Sequence, residues 1–198
     1  MNRDLHFASP IYTEYKPEWV DKLNILCDKY INTPKNIGDS FCSTSLIDDE
    51  NFNEFHGYIA EKSKWVLDDI GYDLSDYGIV YNESWVQEFS LEGGGNHLYH
   101  THSNSHISAF YFLHCTVNTS KPAFQDPRTS HLANKLPLKN KNSTDIGQTT
   151  IHYPTKPGTL LLFPSYLSHG YTIDWSKEKF RFIHVNLQAI ENRFLYAN

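Results

Sequence analysis

Apolar positions along the chain change period part-way, and the change predicts two kinds of element. In the first part, KPEWVDKLNILCDKYI (residues 16–31) carries Val20, Leu23, Cys27 and Tyr30 at helical spacing. Pro17 suits a first turn, so this stretch predicts a helix. A second helix is predicted within residues 48–71. Asp48 or Asp49 caps it, Phe52, Phe55, Ile59, Val66 and Ile70 form one stripe, and Gly71 ends it. A short strand is predicted ahead of both, at residues 5–12. From Ile79 onward the period moves toward two. IVYNESWVQEFSL, SHISAFYFLHC, QTTIHY, GTLLLF and KFRFIHVNLQ are five predicted strands, with turns at residues 92–96 and 156–158. Residues 116–147 are polar and aperiodic, which predicts a long loop or lid.

Amphipathic helices followed by many strands predict helices packed on one face of an antiparallel double sheet, a jelly-roll barrel. The expected organisation is one domain over residues 1–198. Residues 1–78 are a helical support, 79–190 the barrel core and 191–198 a tail. An aromatic content of 15% agrees with a strand-rich globular protein. The net charge of −6 disfavours a general nucleic-acid binder. Cys27, Cys42 and Cys115 are odd in number and lack C-x-x-C spacing. They suggest neither a disulfide framework nor a thiolate zinc site, and they suit a reducing, cytoplasmic location. MNRDLHFASPIY has no continuous apolar core of the kind a signal peptide carries. No run reaches the roughly 18 apolar residues of a membrane helix.

The candidate chemistry lies in HLYHTHSNSH (97–106), four histidines in ten residues. If the segment is extended, His100 and His102 project from one face and can share a divalent metal, with a third ligand from elsewhere. Equally, they are loop histidines on a wet surface. The second element is PGTLLLFPSYLSHG, an apolar strand that delivers His169 at its exit. In KFRFIHVNL, Lys179 and Arg181 share a face with Ile183 and Val185, which directs a cation toward a barrel interior. A guanidinium there needs an anion, either a protein carboxylate or a ligand, and the pattern leaves both open. Nitrogen ligands with open positions suit iron, zinc, copper or nickel over magnesium or calcium. His97, His106, His114, His152 and His184 fit no such pattern and are expected to be bystanders.

In order, His100-Thr101-His102-Ser103-Asn104, Ser108 to Leu113, Asp126-Pro127-Arg128, Gly158 to Gly170 and Arg181 resemble the iron(II)/2-oxoglutarate-dependent oxygenases. The likeness is greatest to a small oxygenase family of bacteria and phages whose core reads H-x-H-P-N, S-G-V-Y-Y-L, D-P-R, G-x-L-x-x-F-P-x-x-L-x-H-G and a late arginine. It covers about half the chain, residues 85–186. The resemblance implies a double-stranded β-helix holding Fe(II) at its open end, with 2-oxoglutarate and O2 as cosubstrates. It implies hydroxylation of an unactivated C–H bond with release of succinate and CO2. By that resemblance His100 and His169 are metal ligands, and His102 stands where the superfamily carries a carboxylate. Three imidazoles are the expected set, with two plus water or chloride as the alternative. Arg181 matches the grip on the distal carboxylate of 2-oxoglutarate. Ile183 replaces the serine found two positions on in many relatives, so Tyr111 is the second candidate contact, with Lys179 as a substitute cation. For Asp126 and Arg128 a loop-organising ion pair is favoured over a catalytic role. The substrate class stays open between a peptide and a small molecule, and the oligomeric state is not legible. Two rivals remain, a three-histidine cupin-like enzyme that uses no 2-oxoglutarate and a non-catalytic jelly-roll binding module.

Overall fold

The computed structural model describes residues 2, 5–32, 36–133, 135–140 and 146–195. Helix α1 (Val20–Asp28) follows a 3-10 turn at Pro17–Trp19 and buries Leu23 and Cys27. Helix α2 (Asn53–Asp69) follows a similar turn, where the Asp49 carboxylate accepts from Asn51 N at 3.0 Å. It buries Phe55, Ile59, Val66 and Leu67 along one stripe. The chain leaves it through Gly71 at φ +101°, a left-handed conformation that glycine adopts without steric cost. Both helices therefore form where the apolar spacing predicts them.

Among the described residues the strands form two antiparallel sheets. The larger contains, in spatial order, β1 (Tyr12–Tyr15), β8 (Thr159–Pro164), β5 (Ile107–His114), β10 (Arg181–Glu191), β3 (Tyr77–Phe89) and β2 (Ser40–Cys42). The smaller contains β4 (Gly95–His100), β9 (His169–Asp174), β6 (Pro122–Gln125) and β7 (Thr150–His152). This is the double-stranded β-helix, with α1 and α2 on one face of the large sheet and a short helix (Thr129–Ala133) in the connection between β6 and β7.

The large sheet is buried on both sides, and alternation sorts its residues into two apolar layers. Val86, Ala109, Tyr111, Leu160, Leu162, Ile183 and Val185 face α1 and α2. Phe89, Phe110, Phe112, Phe163 and Phe182 face the small sheet, meeting Phe124 and Tyr171. Each large buried side chain removed from water contributes about 1.5–3 kcal/mol, so both layers stabilise the sheet between them.

Several elements differ from the sequence expectation. The first strand lies at Tyr12–Tyr15, because its partner β8 pairs Tyr12 with Leu162 and leaves residues 5–11 beyond the ladder. Strands β2, β4, β6 and β9 carry no strong pattern in the sequence. Three of them build the small sheet, and β6 lies inside the stretch expected to be loop. The first 78 residues give β1 and β2 to the large sheet as well as both helices. After β10 a short helix (Asn192–Leu195) returns against the body through Asn192 N to Asp76 O at 2.8 Å. Residues 196–198 of the expected tail lie outside the described residues. Among the described residues no helix is long and apolar enough to cross a membrane.

One contact between layers has a pH consequence. His56 of α2 is buried and its Nε2 lies 2.9 Å from Ser84 Oγ of β3. Burial pushes its pKa down to about 4. Below pH 6.5 the unfolded chain takes up this proton while the folded chain resists it until about pH 4. Stability is therefore lost as pH falls through that window. We expect the urea midpoint to drop from pH 7 to pH 4, and the drop to be shallower in His56→Gln; an identical slope in the variant would dismiss His56 as a cause.

Candidate metal centre

His100 ends β4, His169 begins β9, and the two are cross-strand partners. Their rings stand 4.5 Å apart. Gly170 makes this pairing possible, since a Cβ there would lie 2.6 Å from the His97 carbonyl oxygen of β4. His102 lies two residues past the strand end, its backbone N–H bonded to Ser165 O at 3.1 Å. Its ring stands 4.9 Å from that of His100 and 5.3 Å from that of His169. One donor atom from each of the three residues lies within 4.8 Å of the others. The structure thus brings together all three sequence-predicted ligands.

The donor set fits a metal ion by an independent sign. His102 Nε2 and His169 Nε2 are buried without a hydrogen-bond partner. A buried polar atom left unpaired costs about 1–3 kcal/mol, and an ion between these nitrogens would remove that cost. The opposite ring nitrogens are held. His100 Nδ1 lies 2.8 Å from Leu98 O, and His169 Nδ1 lies 2.9 Å from Leu167 O. His102 Nδ1 faces Asn186 Nδ2 at 3.1 Å and the Glu83 carboxylate at 3.6 Å. The two carbonyl contacts fix the tautomer that leaves Nε2 of His100 and His169 free for metal, while at His102 the Glu83 carboxylate is the group able to accept from Nδ1. Burial pushes the His169 pKa down to about 3 and also lowers that of His102, so both present neutral imidazoles at neutral pH.

Asn186 is fully buried and links the groups behind His102. It donates to Glu83 Oε2 at 2.7 Å and accepts from Ser108 Oγ at 2.7 Å. Loss of such an outer contact costs about 10–100-fold in metal affinity. Asn186→Ala should therefore weaken Fe(II) binding by that factor with the barrel intact, as read by competition with a chromophoric chelator.

The two residues expected to hold the cosubstrate do not reach this centre. Arg181 starts β10 on the face that meets the helices. Its Nε donates to Glu88 Oε2 at 2.6 Å, and its Nη1 donates to Asp28 Oδ1 at 2.8 Å and Asn24 Oδ1 at 3.2 Å. Lys179 approaches the same Glu88 at 3.7 Å. Tyr111 lies in the same outer layer, packed on Phe55, with its hydroxyl donating to Lys16 O at 2.5 Å. The reason is alternation: Arg181 shares its face with Ile183 and Val185, and that face turns to the helices rather than the small sheet. Of the two partners left open for the guanidinium, the structure supplies the protein carboxylate.

Alternation on the same strand brings in a residue expected to be a bystander. Phe182, His184 and Asn186 face inward. The His184 ring stands 5.0 Å from His102 and 5.8 Å from His169, and 4.7 Å from Phe110. His97 also joins the cluster, its ring 4.4 Å from His100. The signal for His184 was present in KFRFIHVNL, since placing Arg181 outward places His184 inward. By contrast, Asp126 and Arg128 form the expected loop clamp. Arg128 donates to Asp126 through Nε at 2.9 Å, Nη2 at 2.7 Å and its backbone N at 2.9 Å.

A family model described as "Putative 2OG-Fe(II) oxygenase" matches residues 83–182, half of the chain. The chain belongs to the 2OG-Fe(II) oxygenase family. Solved structures agree on the fold at low identity. AviO1 from Streptomyces viridochromogenes Tue57 superposes with a TM-score of 0.63 at 12% identity, covering 91% of this chain and 90% of that one. A prolyl-4-hydroxylase from Pseudomonas putida gives 0.57 at 9% identity, over 90% and 92%. HygX from Streptomyces hygroscopicus, solved with nickel and 2-oxoglutarate bound, gives 0.57 at 12%, over 91% and 83%. No curated protein matches the sequence. The family's cofactors are Fe(II) and 2-oxoglutarate, with O2, and this oxygenase carries its three imidazoles at the end of the barrel where β4 and β9 meet.

Proposed function

We propose that this oxygenase hydroxylates an unactivated C–H bond of a peptide or small molecule at an iron held by His100, His102 and His169. The convergence of those three imidazoles, two with orphaned Nε2 atoms, carries the reading. Bound Fe(II) and 2-oxoglutarate supply the oxidation chemistry, with succinate and CO2 as co-products. The chain's own part is to seat the ion, fix the His100 and His169 tautomers through Leu98 O and Leu167 O, back the His102 ring with Asn186, and keep the inner side dry with Phe110, Phe124 and Phe163.

A surface cleft of about 410 Å³ borders His102 and offers the substrate a route to the iron. Leu67 and Ile70 give it an apolar wall, and Thr101, Ser103, Tyr72 and Tyr166 line it with hydroxyl-bearing side chains. That lining suits a partly apolar substrate with hydrogen-bonding groups. Net acidity supports a substrate other than nucleic acid, and the free thiols of Cys27, Cys42 and Cys115 support a cytoplasmic location.

The test is anaerobic titration of the Fe(II)-loaded protein with 2-oxoglutarate. A visible charge-transfer band that saturates at one equivalent is the expected result; Fe(II) uptake with no response to 2-oxoglutarate overturns it. That second outcome belongs to a three-histidine enzyme that uses another ligand, a reading favoured by the engagement of Arg181 with Glu88.

A further inference from the structure

Arg181 is the only buried cationic side chain among the described residues, and it is spent on the helix side of the large sheet. An acid chelated at the histidine centre therefore meets no guanidinium on the inner face of β10. That face presents Phe182, His184 and Asn186, and Asn186 is already engaged by Glu83, Ser108 and His102.

His184 is the side chain left over. It is fully buried, and both Nδ1 and Nε2 lack a hydrogen-bond partner. Its surroundings are the aromatic rings of Trp85 at 4.2 Å and Phe110 at 4.7 Å, and the imidazoles of His102 and His169. An apolar side chain would pack there without stranding two polar atoms, so the imidazole answers a ligand rather than a packing need. It also differs from the three metal-binding residues in a telling way. His100 and His169 each have Nδ1 held by a backbone carbonyl, the arrangement of a preset ligand, and His102 Nδ1 is also engaged, whereas neither nitrogen of His184 is held. A neutral imidazole offers one N–H donor and one acceptor, which suits a hydrogen bond to an oxygen of the metal's ligand better than direct coordination.

We propose that His184 is a further binding residue of the centre, donating an imidazole N–H to a carboxylate oxygen of the acid chelated there. This rests on the iron site proposed above. The inner face then anchors an acid through a neutral donor in a closed aromatic setting, where a charge-assisted hydrogen bond is strong.

The experiment uses the full chain loaded with Fe(II) without oxygen. Affinities for Fe(II) alone, for oxalate and for 2-oxoglutarate are measured by calorimetry in wild type, His184→Phe and His184→Gln. Phenylalanine keeps the ring and removes the donor, while glutamine restores an N–H. The expected result is at least a tenfold loss of oxalate and 2-oxoglutarate affinity in His184→Phe, Fe(II) affinity within threefold of wild type, and recovery of most of the loss in His184→Gln. If His184→Phe does not fold, His184→Met makes the same comparison with a side chain that adapts to the gap. Unchanged acid affinity in the donor-less variant overturns the inference, as does a loss of Fe(II) binding equal to that of His169→Ala, which would make His184 a ligand. Wild type that holds Fe(II) but takes up neither acid overturns it as well. Binding of oxalate without 2-oxoglutarate overturns the cosubstrate reading alone, and failure to take up Fe(II) overturns the iron site together with the inference.

Discussion

Arg181→Ala should cost the fold about 3–5 kcal/mol, because it strands the Glu88 carboxylate inside the protein. Both partners are almost fully buried, at 2% exposure each, and the Nε–Oε2 separation is 2.6 Å. Removing one member of such a pair leaves an uncompensated charge, whereas removing both at once leaves an ordinary apolar contact. The double replacement Arg181→Met with Glu88→Leu should therefore recover most of the loss, despite the exposed Asp28 and the more distant Lys179 losing their partners. Urea denaturation of the three variants reads this directly. The measurement also separates two roles for the guanidinium. A cosubstrate grip predicts near-normal stability with impaired acid binding in the single variant; a buried ion pair predicts the reverse. Near-normal stability of Arg181→Ala would return the residue to the site.

His169→Ala should abolish stoichiometric Fe(II) binding, with a loss well beyond the roughly 10–100-fold that follows removal of an outer contact. His169 is the most buried of the three donors at 0% exposure, and it is the ring that joins β9 to the centre. Taking it away leaves His100 and His102, two imidazoles from one end of one strand with no closing third ligand. The variant also opens space among Phe110, Phe124 and Phe163, so some stability is lost with the metal. His152→Ala, at the exposed end of β7, serves as the control for histidine removal as such. Equal metal content in the two variants would dismiss His169 from the centre.

The sequence carried the three converging histidines because each sits where local pattern is loud. H-x-H at the end of an extended segment places two rings together, and GTLLLFPSYLSHG marks a buried strand, a break and then a histidine. Both helices and the long strands of the large sheet were legible for a similar reason. Their apolar spacing repeats often enough to select one period. The small sheet was not legible. Strands β4, β6 and β9 have four to six residues, and β9 runs from three buried residues, His169 to Tyr171, to exposed Thr172 and Ile173 with no alternation. Their existence depends on pairing with one another, such as Phe124 with His169, which no local window contains.

By itself, then, the chain determined the two helices, the long strands of the large sheet, the family and the three imidazoles that converge. Only the tertiary structure decided which way β10 faces. Alternation fixes that Arg181 and His184 point to opposite sides, but it is indifferent to which side is which. The packing of α1 and α2 on Ile183 and Val185 breaks the tie, sending the guanidinium to Glu88 and Asp28 and the imidazole to the metal centre. A strand's period is local, whereas the identity of its inner face is a property of everything stacked against it.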